Sequence, residues 1–237
     1  MALLQLAQEN HVTQLALTDI NSTSAGLNFV RKAQELGIEP ILGIDFRNGV
    51  EPCFVGIAKN NDGYQEINDY LSEHLHYKKD FPIRPPKFKN AYVIYPFEKV
   101  LQHEMTHFLE HEFIGISIAD LRRLRFSRLT AFMDKLVVQQ PVTFRNKRDF
   151  NAHRLLRAID NNTLLSKLCV TEQADPEEKM FPIQNLAAAF SDYPFILENT
   201  ERFMNACSIH FDFSKGRKPQ NLKHYLGNQK EDELLLE

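Results

Sequence analysis

His103, Glu104 and His107 stand in the order His-Glu-x-x-His. On a helix this spacing stacks two imidazoles one turn apart with a carboxylate beside them, the arrangement that holds zinc and activates water in peptidases. His111 follows at the next i+4 position. The pattern is short, and nine histidines in one chain allow it by chance. The spacing to His111 also lacks the glycine of the longer zinc-peptidase signature. A surface ridge of His103, His107 and His111 that picks up zinc or nickel adventitiously is the preferred reading, with a zinc peptidase as the remote alternative. Two carboxylates offer a second chemistry: Asp19 and Asp45 each follow an apolar run, Gln14 to Thr18 and Pro40 to Ile44. A third group is basic: Arg122, Arg123, Arg125 and Arg128 lie within eight residues, a candidate contact for phosphate or a partner. Its plain alternative is a solvated helix face.

The elements around these residues follow from apolar spacing. Leu3 to Asn10 reads as helix, Gln14 to Thr18 as a short strand and Asp19 to Ser24 as a polar turn, with Ser24 capping the next helix. Leu27, Val30, Ala33 and Leu36 fall at helical spacing; Gly37 ends that helix, and Pro40 to Ile44 is the next buried strand. This is a βαβ unit, which makes its strands parallel and puts Asp19 and Asp45 on one rim. Further strands are expected at Phe54 to Ala58, Ala91 to Tyr95, Phe113 to Ile116 and Val142 to Phe144. Helices are expected at Gly63 to His76, Phe97 to Glu110, Leu121 to Leu136 and Asp149 to Ile159. Thr171 to Lys179 reads as an acidic surface loop, Pro182 to Cys207 as two helices split near Tyr193-Pro194, and Ser214 to Asn228 as a basic linker. Such alternation indicates an α/β barrel or a doubly wound sheet, and the pattern alone leaves both open.

At 237 residues with 43% hydrophobic and 25% charged residues, the chain has enough apolar material for one large core and carries no signature of disorder. Its net charge of −3 excludes a global basic field of the kind that holds nucleic-acid backbones. Cys53, Cys169 and Cys207 are odd in number and far apart, which argues against a disulfide framework and for a reducing, cytoplasmic setting. No apolar run reaches the roughly 20 residues needed to cross a bilayer, so a membrane role is not expected.

Residues 3 to 21, LLQLAQENHVTQLALTDIN, resemble the first helix, second strand and Thr-Asp-His motif of PHP (polymerase and histidinol phosphatase) domains from bacterial DNA polymerase III alpha subunits. Ile20 replaces the motif's histidine. Residues 29 to 46, FVRKAQELGIEPILGIDF, are similar to the family's helix, Pro-initiated strand and Gly-x-Glu/Asp turn, the most specific block of the match. Weaker similarity runs through Asn61 to Tyr64, Leu71-Ser72, Asp149 to Asn161 and Phe195 to Thr200, and the final residues resemble the acidic start of a polymerase region. The resemblance implies a distorted (β/α) barrel over residues 1–170. Residues 171–213 then complete the domain with a helical extension, and 214–237 are a linker toward a palm domain.

Family members of this kind bind a cluster of divalent zinc, manganese or magnesium ions through His and carboxylate ligands. Here the implied vestigial ligands are Asp19, Asp45 and His76; the opening His-x-His strand would precede residue 1, leaving the Gln14 to Thr18 strand with an open edge. The late Asn-Asp-x-His motif would fall near Pro141 to Asn146, where Arg145 stands in place of a ligand. For each vestigial position a plain structural role is an open alternative: an Asx-turn or helix cap for Asp19, a turn residue for Asp45, a helix-end dipole partner for His76. The resemblance therefore implies a non-catalytic module of a replicative polymerase, with no catalytic residue and no cofactor expected in this chain. Its implied partners are the palm and thumb of the same parent chain and a proofreading exonuclease subunit, with DNA contacted through the parent. The competing reading is a metal-dependent phosphoesterase or 3′–5′ exonuclease.

Overall fold

The computed structural model describes residues 2–213, so the expected linker at 214–237, with its basic residues, lies outside the described residues. The chain opens with α1 (Ala2–Glu9) and β1 (Gln14–Ile20), followed by α2 (Gly26–Glu35) and β2 (Glu39–Asn48). Next come β3 (Glu51–Ala58), α3 (Asn61–Tyr77), β4 (Ala91–Pro96), α4 (Phe97–Gln102) and β5 (Glu112–Ile116). After the short α5 (Leu121–Leu124) and a 3-10 stretch at Arg128–Lys135 lies β6 (Leu136–Val138); α6 (Lys147–Asp160), α7 (Ile183–Ala189) and α8 (Pro194–Asn205) complete the order. The fold is α/β, with six strands in the order β1-β2-β3-β4-β5-β6 curled into a half-barrel.

The expected βαβ unit is present: α2 carries Phe29, Val30 and Ala33 into the core, and β1 runs parallel to β2. The end of α2 is set by Gly37 at φ +70°, with the Ile38 and Gly37 amides donating back to the Ala33 and Gln34 carbonyls. The parallel order of that unit does not continue into β3, which is antiparallel to both β2 and β4. Only a two-residue loop joins β2 to β3, and Gly49 within it takes φ +62°, which favours glycine. A link that short has no room for a crossover helix, so the two strands must run in opposite directions.

The strands separate two apolar layers by alternation. Leu42, Ile44, Phe46, Phe54, Val93, Tyr95, Ile114 and Ile116 join the main core with residues of α2, α3 and α4. On the opposite face Ile41, Val55, Ile57, Ile94 and Val137 pack with Phe203 and Cys207 at the end of α8. Phe203 meets the rings of Tyr92 and Phe113 at centroid distances of 4.8 and 5.2 Å.

Three further expectations are corrected. Ser24 does not cap α2; Ala25 holds that position without a side-chain hydrogen bond. The sixth strand is Leu136–Val138, a β-branched run parallel to β5 that the helical reading of Leu121 to Leu136 had partly absorbed. Val142 to Phe144 is irregular, held by the Glu178 carbonyl, which accepts from the Thr143 and Phe144 amides at 2.8 and 3.0 Å.

Candidate functional site

Asp19 and Asp45 lie at the same end of the β1–β2 pair, but one residue out of step. Asp19 pairs with Ile44, and Ile20 pairs with Asp45. Neighbouring residues across a pair share a face, so the two carboxylates point to opposite sides of the sheet. Their surroundings agree. Burial raises the α3 phenol of Tyr64, on the face of the main core, and the nearby Asp19 carboxylate adds to that rise against the Thr23 hydrogen bond. Asp45 shares a face with Val55 and feels the carboxylate of Glu178.

Each carboxylate is raised above the usual range. For Asp19 the cause is partial burial alone, and it accepts no side-chain hydrogen bond among the described residues. For Asp45 burial is the larger cause, and Glu178 adds to it; Arg47 opposes both. Arg47 grips one carboxylate oxygen of Asp45 twice, from Nε at 2.8 Å and from a terminal guanidinium nitrogen at 2.7 Å. Asp45 sits inside β2 rather than in a turn, and Asn21 fixes the strand beside it by exchanging hydrogen bonds with the Arg47 backbone at 2.8 and 3.0 Å.

Arg145, expected where the family places a ligand, is tied to Asp149 through Nε at 2.6 Å and a second nitrogen at 3.0 Å. Asn146 next to it caps α6, its side-chain oxygen accepting from the Arg148 and Asp149 amides. Thr143 to Arg145 and Asp149 border a surface hollow with Leu3. The acidic loop at Thr171 to Lys179 folds back here, because the Thr143 hydroxyl and amide both bond Glu178. Glu178 is thereby carried toward Asp45.

His76 is remote in kind from this rim: it is exposed on the last turn of α3, its ring against Tyr77. A divalent-metal cluster of the family type needs several ligands converging on one point. Among the described residues no group of three or more His, Cys, Asp or Glu is placed to hold a metal ion. With Asp45 held by a guanidinium and Asp19 on the other face, the residues present do not fit the cluster.

The His-Glu-x-x-His geometry fails for a definite reason. α4 ends at Gln102 instead of Glu110, because Glu104 turns left-handed at φ 48° while the Met105 and Glu104 amides bond the Val100 and Leu101 carbonyls. His103 and His107 therefore do not share a helical face. His111 is buried just ahead of β5, its Nδ1 without a partner among the described residues and its basicity lowered by that burial. The peptidase reading and the histidine ridge both lose their geometric basis. In the basic run, Arg123 is engaged: it pairs with Glu98 and lies over the Phe97 ring. Arg122, Arg125 and Arg128 stay exposed.

Sequence reasoning missed Arg47 and Glu178. The signal for Arg47 was present, since residues i and i+2 of a strand share a face and Asp45-Phe46-Arg47 sits in one. Glu178 had no comparable signal, because it reaches Asp45 through a loop remote in sequence.

A sequence model of the PHP domain family matches residues 1–126, just over half of the 237-residue chain, and the chain belongs to that family. DNA polymerase III subunit alpha of Halalkalibacterium halodurans is 22% identical over 250 residues, covering 92% of this chain and 22% of its own length. The protein of the same name from Vibrio cholerae is 22% identical over 233 residues, covering 82% of this chain and 20% of its own length. That of Neisseria meningitidis is 30% identical over 84 residues, 35% of this chain and 7% of its own. The chain thus spans about a fifth of the length of the Halalkalibacterium and Vibrio proteins.

Proposed function

We propose that this chain is the PHP module of a DNA polymerase III alpha-type replicative polymerase, serving there as a non-catalytic structural unit in the cytoplasm. The relatives bear that polymerase's name, and the observation that carries the non-catalytic role is the Asp45–Arg47 grip. A divalent ion in a phosphoesterase polarises phosphate and activates water; a guanidinium neutralises a carboxylate but leaves no open position for either task. In this reading residues 1–170 form the barrel part and 171–213 complete it. Residues 214–237 lead toward a palm domain, and the module supports the palm and thumb of its parent and docks a proofreading exonuclease subunit. Asp19, Asp45 and His76 are remnants of a ligand set.

The test is hydrolysis of a phosphodiester substrate by purified protein with added manganese or zinc, alongside calorimetric titration of each metal. The expected outcome is no turnover above the background of Asp19→Ala and no stoichiometric metal uptake. Turnover abolished by Asp19→Ala establishes the phosphoesterase or exonuclease reading in its place.

A further inference from the structure

We propose that the outward face of residues 122–128 is a contact site for single-stranded nucleic acid, in which Arg122, Arg125 and Arg128 take phosphates and Phe126 stacks on a base. This goes beyond the polymerase reading and does not depend on it.

The segment is firmly built. Leu124 and Leu129 are fully buried anchors at its two ends. Beyond α5 the turn continues at helical spacing, with the Phe126 and Ser127 amides bonding the Arg123 and Leu124 carbonyls at 3.1 and 3.0 Å. Ser127 then caps the following 3-10 turn by accepting from the Leu129 amide. With Leu124 inward, Arg122 and Arg125 at i, i+3 and Arg122 and Phe126 at i, i+4 fall side by side on the outside. A ring is thereby set among guanidiniums on a scaffold that does not need them for packing.

Two observations select the ligand. Arg122, Arg125 and Arg128 make no side-chain hydrogen bond or ion pair among the described residues, whereas other arginines of the molecule, Arg47, Arg84, Arg145 and Arg157, are gripped by carboxylates. Phe126 is 88% exposed, the most exposed large apolar side chain described. An exposed ring beside free guanidiniums is the combination that binds single strands, where bases are available for stacking; a duplex would use the arginines and leave the ring idle. Arg125 also borders a hollow of about 430 Å³ with Asp192 and Tyr193. The chain's net charge of −3 confines the attraction to this patch and keeps it weak.

The experiment is fluorescence anisotropy of a labelled oligothymidylate titrated with the protein at two salt concentrations. Three phosphate contacts on a single strand give a logarithmic salt slope of about −2, or binding weakened about 15-fold between roughly 50 and 200 mM salt. Phe126→Ala is expected to weaken binding about 10-fold with the slope unchanged, and Phe126→Tyr to retain it. Arg122→Ala/Arg125→Ala/Arg128→Ala is expected to abolish both binding and slope. All of these side chains are exposed, and unchanged thermal melts confirm that the variants fold. Equal or tighter binding of the matching duplex, loss of slope in Phe126→Ala, or wild-type binding by the triple variant each overturns the proposal. So does absence of oligonucleotide binding, including the case where an acidic peptide or anionic vesicles bind instead.

Discussion

Replacing Arg47 with methionine keeps an unbranched side chain while removing the one cation that, among the described residues, pairs with Asp45. The size of the effect follows from exposure. Breaking a fully buried pair costs about 3–5 kcal/mol, and an exposed pair contributes about 0–1 kcal/mol. Here the Asp45 side chain is 13% exposed and that of Arg47 29%, between those limits, so about 2 kcal/mol is expected at neutral pH. For a chain of this length that lowers Tm by about 4–8 °C. Acidity supplies the discriminating arm. Burial already holds the folded-state pKa of Asp45 above its unfolded value, and Arg47 is what restrains the rise. A carboxyl raised in this way favours folding below the unfolded pKa, and that contribution is lost as pH rises through the folded pKa. In Arg47→Met the folded value rises further. The penalty should therefore be full at pH 7 to 8 and shrink toward about pH 4, where a protonated Asp45 needs no counter-cation. Paired thermal melts of wild type and variant across that range measure this, since the other carboxylates titrate alike in both. A penalty equal at both ends of the range would mean that Arg47 acts through its packed stem, and the electrostatic argument would be wrong. In an Asp45→Asn background the same substitution should cost less than half as much.

Tyr95→Phe removes the hydroxyl that donates to the buried Glu112 at 2.8 Å, leaving that carboxylate with Arg84 at 2.8 Å and the Leu109 amide at 2.7 Å. A loss of about 2 kcal/mol is expected, read as a Tm about 4–8 °C lower by calorimetry; an unchanged Tm would show that the two remaining donors suffice. Gly63→Ala should be worse, because a Cβ there would meet the Asn90 carbonyl oxygen at 1.8 Å, a backbone atom that cannot swing aside. At least about 2 kcal/mol is expected in urea unfolding, and a variant as stable as wild type would contradict the close packing of α3 on that loop.

What was legible divides along the range over which the information is carried. The βαβ unit and the end of α2 could be read because each depends on residues close in sequence: apolar spacing in α2, a glycine that must turn left-handed, and a β-branched run after it. α4 was read eight residues too long because its stop signal is Glu104, a residue type that is seldom left-handed, in a window whose charges otherwise suit a helix. The direction of β3 was hidden for a different reason. Asn48-Gly49 is a turn-forming pair, yet its consequence for strand direction depends on Asn48 pairing with Glu51, which only the folded register reveals. The rim carboxylates show both limits. That Asp19 and Asp45 fall at one end follows from the parallel pair, while the one-residue offset that sends them to opposite faces is a property of register and cannot be read from either strand alone.

The contrast between a metal and a guanidinium at Asp45 bears on how the module's folding is linked to its surroundings. A site completed by a divalent ion stabilises the fold only in proportion to the logarithm of free metal over its dissociation constant, so stability follows metal supply. Arg47 is supplied by the same strand, two residues away, and the side-chain amide of Asn21 holds its backbone in place. Neutralisation of Asp45 is then internal and constant, and it costs only the ordering of one side chain. Opening the Asp45 carboxylate to a metal ion first requires displacing the Arg47 contact that the fold itself maintains.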